Sequence, residues 1–417
     1  MITLAEARRF VLSGLVPSQV VILPLAEALG CVSAGPVVAA GPVPLFANSQ
    51  MDGYALRSAD AGCGETRLRV VGTIAAGQVA ARRVGAGEAM RIMTGAPIPD
   101  GADAVCMVEQ TASEQEGAVV VVHGPVTPGG YIRRAGEDIE TGEVVVEAGT
   151  VLRPGHLGVL ASVGESTVAV HRRPRVGVVS TGDELAAVDE RLRPGAVRDA
   201  NRPALVGLVR SSGFAVTDLG IVADDEDRLA EALGRAATRC DALITSGGVS
   251  VGERDYMKAV LDRLSGGAMR WMQVAIKPAK PLAFGVLAAT GTPVFGLPGN
   301  PVSALVSFEL FVRPALRKMA GHRVLDRPAV DAVADEDLAR ATDGKLHLAR
   351  VVASFGTDGR VHVRSSGGQA SHMLRAMAAA NALALLPDGD GVRRGDGVRV
   401  MLLSPEGLAP VGAEEPA

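Results

Sequence analysis

The sequence predicts a multidomain α/β chain: a doubly wound, mostly parallel α/β domain, an N-terminal region carrying an inserted β domain, and an all-β module at the C-terminus. Three observations predict it. The chain has 417 residues, and at about 150 residues per domain that suggests roughly three domains. From Arg175 onward three buried strands, at Val176–Val179, Ala242–Ile244 and Val294–Phe295, each enter a glycine-containing loop and then a helix. Alternating strand and helix units imply a parallel sheet. On either side of this region the pattern changes to short β-prone runs between glycine-rich turns.

Taken in order, Leu4, Ala7, Val11 and Leu12 fall at helical spacing, and Thr3 with Glu6 forms a capping box. A second short helix is expected over Pro24 to Leu29. From about Val43 to Val126 short runs such as Leu68–Val71 and Val119–Val122 read as a small β domain. Gly136 to Val170 is again strand-like, so the outer segment leaves the β domain and returns, making that domain an insertion. After Pro314 and Gly321 the helical pattern fades, and Leu346–Val352, Val361–Val363, Ala382–Leu386 and Val398–Leu402 read as the final β module. Residues past Leu403 read as a frayed tail.

Composition narrows the function. A formal net charge of -4 supplies no basic field for nucleic acid. Four scattered cysteines without a CxxC pair fit a reduced cytoplasm and no zinc site. Arg8 and Arg9, the apolar stretch Phe10 to Leu29 and then Gly30-Cys31 imitate a lipoprotein signal, but Pro17, Gln19, Pro24 and Glu27 interrupt it. No other stretch approaches the run of about 20 apolar residues that a span needs, so no membrane association is expected.

In an open α/β sheet the ligand lies outside the carboxyl ends of the strands, so the three loops after the buried strands should share one site. The first, Ser180-Thr181-Gly182-Asp183-Glu184, offers a hydroxyl, close backbone approach and two carboxylates. The second, Ser246-Gly247-Gly248-Val249-Ser250, presents backbone N–H groups as an anion nest, followed by Glu253 and Asp255. The third, Leu297-Pro298-Gly299-Asn300-Pro301, places Asn300 as helix N-cap and Pro301 at the first helical position, a further anion seat. One such loop alone is an ordinary strand-to-helix turn; three together, beside carboxylates, suit a phosphate ester held with Mg²⁺. Lys277 and Lys280, two of only five lysines, sit between the second and third loops in Lys-Pro-Ala-Lys-Pro, where the prolines stiffen the chain. That placement favours an oxyanion or phosphate.

These loops and their flanks resemble the molybdopterin molybdenumtransferase family, whose animal relative is the C-terminal part of gephyrin. The resemblance spans nearly the whole chain: MDGYA from Met51, RIMTGAPIPDGADAV from Arg91, GEDI from Gly136, VGVVSTGDEL from Val176, RDANRPAL from Arg198, SGGVSVGERDY from Ser246, KPAKPLAFG from Lys277 and GLPGNPVSA from Gly296. TGDEL and SGGVS are shared with other pterin-binding domains, whereas MDGY, TGAPIP, GED and GLPGNPVSA together are specific. Two departures stand out: Ala279 where the family usually has glycine, and Gln50 where a small residue is common. A methyl at 279 alters the loop if φ there is positive.

The resemblance implies that Asp52, Thr94, Asp138, Glu184, Asp224, Asp255, Lys277 and Lys280 are catalytic, with Arg134 binding substrate beside Ser180, Thr181, Gly182, Asp183, Ser246, Gly247, Gly248, Ser250, Pro298, Gly299, Asn300 and Pro301. Glu184, Asp255 and Asp52 would hold Mg²⁺. It implies four domains: an elongated N-terminal domain over 1–45 and 136–171, the inserted β domain over 46–135, a doubly wound molybdopterin-binding domain over 172–322, and a small β-barrel-like domain over 323–417. It also implies a cytoplasmic homodimer with each site shared between subunits, adenylyl-molybdopterin and molybdate as substrates, AMP as product, and a molybdopterin adenylyltransferase and cofactor-receiving enzymes as partners. An adenylyltransferase or a nucleotide-sugar pyrophosphatase would need only the region from Arg175 to Gly321 and would leave MDGY, TGAPIP and GED idle. A scaffold role of the gephyrin kind accompanies fused domains that these residues do not supply.

Overall fold

The computed structural model describes residues 1–248, 256–404 and 408. They fall into two compact units, one of residues 22–29 and 33–170, the other drawn from 1–21, 30–32 and 171–417.

The first unit is built on a six-stranded sheet of β1 (Gly53–Leu56), β2 (Glu65–Ile74), β3 (Glu88–Ile92), β4 (Ala104–Met107), β5 (Thr111–Glu114) and β6 (Val119–His123), in the order β4-β1-β3-β2-β6-β5. Alternation sends Tyr54, Leu56, Leu68, Val120 and Val122 to one core and Ala55, Ile74, Met90, Ile92 and Val105 to another. Gly53 is needed where it stands. A Cβ there would meet the carbonyl oxygen of Cys106 at 2.0 Å, so the glycine lets β1 lie against β4 and fixes the neighbouring Asp52 at the end of the sheet. The expected short helix near Pro24 is a 3₁₀ turn at Leu25–Glu27.

The second unit opens with α1 (Leu4–Ser13), whose Thr3–Glu6 capping box is formed, and whose Ala7 and Val11 join the main core. Its central sheet comprises β7 (Arg175–Thr181), β8 (Ala215–Val222), β9 (Ala242–Ser246), β10 (Arg270–Gln273), β11 (Pro281–Val286) and β12 (Pro293–Leu297), ordered β8-β7-β9-β12-β11-β10. The first four strands of that order run parallel, while β11 and β10 form an antiparallel edge. The three strands expected from buried apolar runs are thus neighbours. β7, β9 and β12 are buried along almost their whole length, as strands covered on both faces must be. Helices α2 (Asn201–Ser211), α3 (Glu226–Ala237), α4 (Tyr256–Leu264) and α5 (Pro301–Ser307) cover them. Helical structure continues from α5 through a π turn at Phe308–Val312 to Met319.

The C-terminal strands β13 (Ala329–Ala334), β14 (Leu346–Phe355), β15 (Val361–Ser365), β16 (Ala382–Leu386) and β17 (Gly397–Leu402) pair in the ring β14-β15-β13-β17-β16-β14, a closed five-stranded barrel. Ala332, Val351, Val363, Ala384 and Val400 fill it. The barrel is stitched to the α/β domain by the two-residue strand Ile276–Lys277, which pairs in parallel with the start of β14.

Candidate active site

The strand order places a topological switch between β7 and β9, which run side by side but connect outward in opposite directions. The loops after β7, β9 and β12 all leave the carboxyl edge, and hydrogen bonds join the second and third. Asn201, at the start of α2, donates from Nδ2 to Ser246 Oγ at 2.8 Å and to the Gly299 carbonyl at 2.7 Å. Gly247 N–H donates to the Leu297 carbonyl at 3.1 Å. Gly247 has φ +95°, and a Cβ there would approach the Thr181 carbonyl oxygen to 2.7 Å, so the second loop lies directly against the first only because this residue is glycine.

Within the first loop the hydroxyl of Thr181 donates to Asp224 Oδ1 at 2.5 Å, while Asp183 and Asp224 exchange longer backbone-to-carboxylate bonds of 3.4 and 3.3 Å. Asp224, far along the chain, is thereby joined to Asp183 and lies beside the loop that carries Glu184. Asp183 and Glu184 are exposed at the edge. Ser180 differs: it is fully buried and its hydroxyl donates to Asp199 at 3.1 Å, so its side chain serves the loop's own structure. Asp199 also receives Arg202 at 2.9 Å.

The third loop seats less than its sequence suggests. Asn300 is the N-cap residue and Pro301 sits in the first turn, but the Asn300 side chain caps nothing. Pro301 has no N–H, and the N–H of Val302 is taken by the Ser371 carbonyl at 3.1 Å. Pro298 is buried, while Gly299 and Asn300 are exposed.

Lys277 and Lys280 are exposed, and among the described residues neither pairs with a carboxylate. Between them Ala279 has φ +74°, the left-handed conformation that explains why a glycine suits this position, and its N–H donates to Ser303 Oγ at 3.3 Å. The lysine loop therefore rests on α5, the helix that follows the third loop. Two features of the barrel near that helix carry no local sequence signal. Arg350 is 1 % exposed with no carboxylate partner among the described residues, its Nη2 donating to the Gly368 and Ala370 carbonyls at 2.9 and 3.1 Å. The same segment supplies Ser371.

Asp52, Thr94, Arg134 and Asp138 lie in the other unit. Asp52 accepts from both the amide and the hydroxyl of Thr94, each at 2.7 Å, and these bonds, the amide first, hold its carboxyl below the usual aspartate range. Strand pairing of Ile132–Arg133 with Asn48–Ser49 brings the Arg134–Asp138 loop to the same end of the unit. Gln50 N–H donates to the Tyr131 carbonyl at 2.9 Å, so the residue before the MDGY motif is used through its backbone. Ser250 and Asp255, with Val249 and Glu253, lie outside the described residues. Among the described residues no three His, Cys, Asp or Glu side chains group as a metal site. No helix among them is long and apolar enough to cross a membrane. A cavity of about 340 Å³ lined by Arg175, Asp241 and Pro293 opens at the starts of the parallel strands, the opposite end from these loops.

Fold and loops define the class: a multidomain α/β enzyme built round a doubly wound domain with glycine-rich and acidic loops at its carboxyl edge. Residues 2–164 match the family model described as the MoeA N-terminal region (domain I and II), residues 177–318 the probable molybdopterin binding domain, and residues 332–403 the MoeA C-terminal region (domain IV). The chain is 40 % identical over 393 residues to the molybdopterin molybdenumtransferase of Haemophilus influenzae, covering 94 % of this chain and 96 % of that one. It is 38 % identical over 400 residues to molybdopterin molybdenumtransferase 2 of Mycobacterium tuberculosis, covering 93 % and 96 %. The crystal structure of a molybdopterin biosynthesis moeA protein from Pyrococcus horikoshii superposes with a TM-score of 0.79 at 30 % identity, over 96 % of this chain and all of that one. The chain belongs to the molybdopterin molybdenumtransferase family, and its role lies in molybdenum cofactor biosynthesis.

Proposed function

We propose that this chain inserts molybdate into adenylyl-molybdopterin and hydrolyses the phosphoanhydride, releasing AMP and molybdenum cofactor. The observation that carries the reading is the meeting of three loops at the carboxyl edge, the first and second in contact at Gly247 and the second and third joined by Asn201, with a lysine loop that has no carboxylate partner among the described residues resting on the helix after the third. The second loop, whose Gly247 N–H is spent on Leu297, would take the phosphates through its remaining backbone N–H groups, Lys277 and Lys280 would counter the charge of the molybdate dianion, and Glu184, Asp224 and Asp255 would orient the attacking water. Arg350, a guanidinium held by the Gly368 and Ala370 carbonyl oxygens, adds positive charge near α5.

The acids fit Mg²⁺ in its usual manner. One or two carboxylates, completed by phosphate oxygens and water, are enough for it, and Glu184 with Asp255 would supply them. When bound, the ion would neutralise phosphate charge and polarise the phosphoanhydride. A pre-formed cage is not required. We further propose a cytoplasmic homodimer in which the Asp52, Thr94, Arg134 and Asp138 unit completes the partner's site, with Asp52 facing the Mg²⁺. The regions 1–45 with 136–171, 46–135, 172–322 and 323–417 would act as its domains. The adenylyltransferase that supplies the substrate and the enzymes that accept the cofactor are its expected partners.

The test is reconstitution of a molybdenum-free enzyme. Purified chain, adenylyl-molybdopterin, molybdate and Mg²⁺ should restore its activity, and Glu184→Ala should not while melting near the parent temperature. Restoration at the parent rate by Glu184→Ala would remove that residue from the chemistry.

A further inference from the structure

Lys277 has a fixed neighbour across the strand pairing that joins the barrel to the lysine loop. Ile276 lies opposite Leu346 and Lys277 opposite His347. Ile276 is fully buried and Leu346 packs on the same core, so alternation sends the side chains of Lys277 and His347 together to the other face. The His347 side chain is only 12 % exposed, and its Nε2 lies 3.0 Å from Asp343 Oδ1. Asp343 is itself pinned by Lys345 Nζ at 2.8 Å and Arg340 Nη2 at 3.0 Å. Arg340 is anchored on the carbonyl oxygens of Lys345 at 2.6 Å and Leu386 at 3.1 Å, so the array is locked to the barrel wall.

Charge fits this arrangement. Burial lowers the affinity of His347 for a proton, Asp343 opposes that, and the cations Arg340 and Lys277 reinforce it, leaving the net direction downward. In its neutral form the ring donates Nε2–H to the carboxylate, which can only accept. A neutral ring beside Lys277 avoids like-charge repulsion and leaves Nδ1 as an acceptor.

We infer that His347 is a positioning residue for the oxyanion step: held by Asp343, it restricts where the Lys277 ammonium can go and couples the C-terminal barrel to the lysine loop. This rests on the assignment of Lys277 to molybdate made above.

The experiment is a double-mutant cycle on molybdate binding, measured by equilibrium dialysis of the full chain. His347→Ala should weaken binding roughly three- to tenfold, the scale of coupling between polar neighbours, whereas in a Lys277→Ala background it should change binding by less than about 1.5-fold. His347→Gln, whose amide can still donate to Asp343, should stay within about twofold of the parent. Equal losses in both backgrounds, or no loss from His347→Ala in the parent, would overturn the inference while sparing the lysine assignment. No loss from Lys277→Ala itself would overturn both. If His347→Ala melts far below the parent, His347→Phe, which keeps an aromatic ring and removes the nitrogens, carries the same cycle.

Discussion

Thr94 gives Asp52 two hydrogen bonds, and their consequence is orientation rather than charge. An unfolded aspartate titrates near about 3.9. With the folded value held lower, the stabilisation is fully present above about pH 4 and is lost as pH falls through the depressed value. Between pH 5 and 9 the carboxylate is ionised with or without its partner. Thr94→Val should therefore lower kcat/KM by a similar factor across that range, roughly ten- to hundredfold, as when the partner of a functional group is removed. Recovery of the variant as pH rises would show that Thr94 acts on ionisation instead. At Ala279 opposing terms nearly cancel: the left-handed backbone costs an alanine about 1–2 kcal/mol, while its buried methyl returns about 0.8 and its stiffer unfolded chain about 0.4–1. Ala279→Gly should thus shift urea-measured stability by less than about 1 kcal/mol, and Ala279→Val, β-branched and buried, should lose more than about 2 kcal/mol. A neutral valine would mean that the loop gives way.

Elements of this chain differ in how openly they announce themselves. β7, β9 and β12 are continuous apolar runs entering glycine loops, and both their existence and the parallel sheet were legible. β8 was not, because it lies at the sheet's edge with Asp218 in its middle and only partial burial; β10, four residues with an exposed arginine, hid for the same reason. β13 carries Asp331 and escaped likewise. That three loops leave the carboxyl edge together was readable from local spacing. Asn201 and Asp199, quoted only within RDANRPAL, were given no role, and Arg350 and Ser371 were not picked out, because what singles them out is a partner 19 to 98 residues away or burial without a counter-charge among the described residues, neither of which leaves a periodic trace. Asn201 gives the element-scale prediction. Asn201→Ala leaves the Gly299 carbonyl and the Ser246 hydroxyl without this donor, so it should cost about 1–3 kcal/mol in urea unfolding and slow turnover through both loops. Full activity with the expected stability loss would mean that the loops hold their places without it.

At the scale of the whole molecule, the residues assigned to one reaction are divided between two compact units, Asp52 and Thr94 in one, Glu184, Asp224 and the lysines in the other. A site shared across a two-fold dimer makes a quantitative prediction. Asp52→Ala and Glu184→Ala, each inactive alone, should on refolding together form about half mixed dimers with one intact site in two, restoring roughly one quarter of parent activity. A site contained in one chain keeps a lesion in every copy, so confirmed mixed dimers without activity would exclude sharing. The central claim, that these loops carry molybdate-dependent cleavage of an adenylylated pterin, is tested most directly by quantifying AMP in a single turnover of adenylyl-molybdopterin with Mg²⁺, with and without molybdate. The account predicts about one AMP per active site when molybdate is present, little without it, and none with Lys277→Ala and Glu184→Ala combined. AMP release that ignores molybdate, or that survives the double substitution, would contradict it.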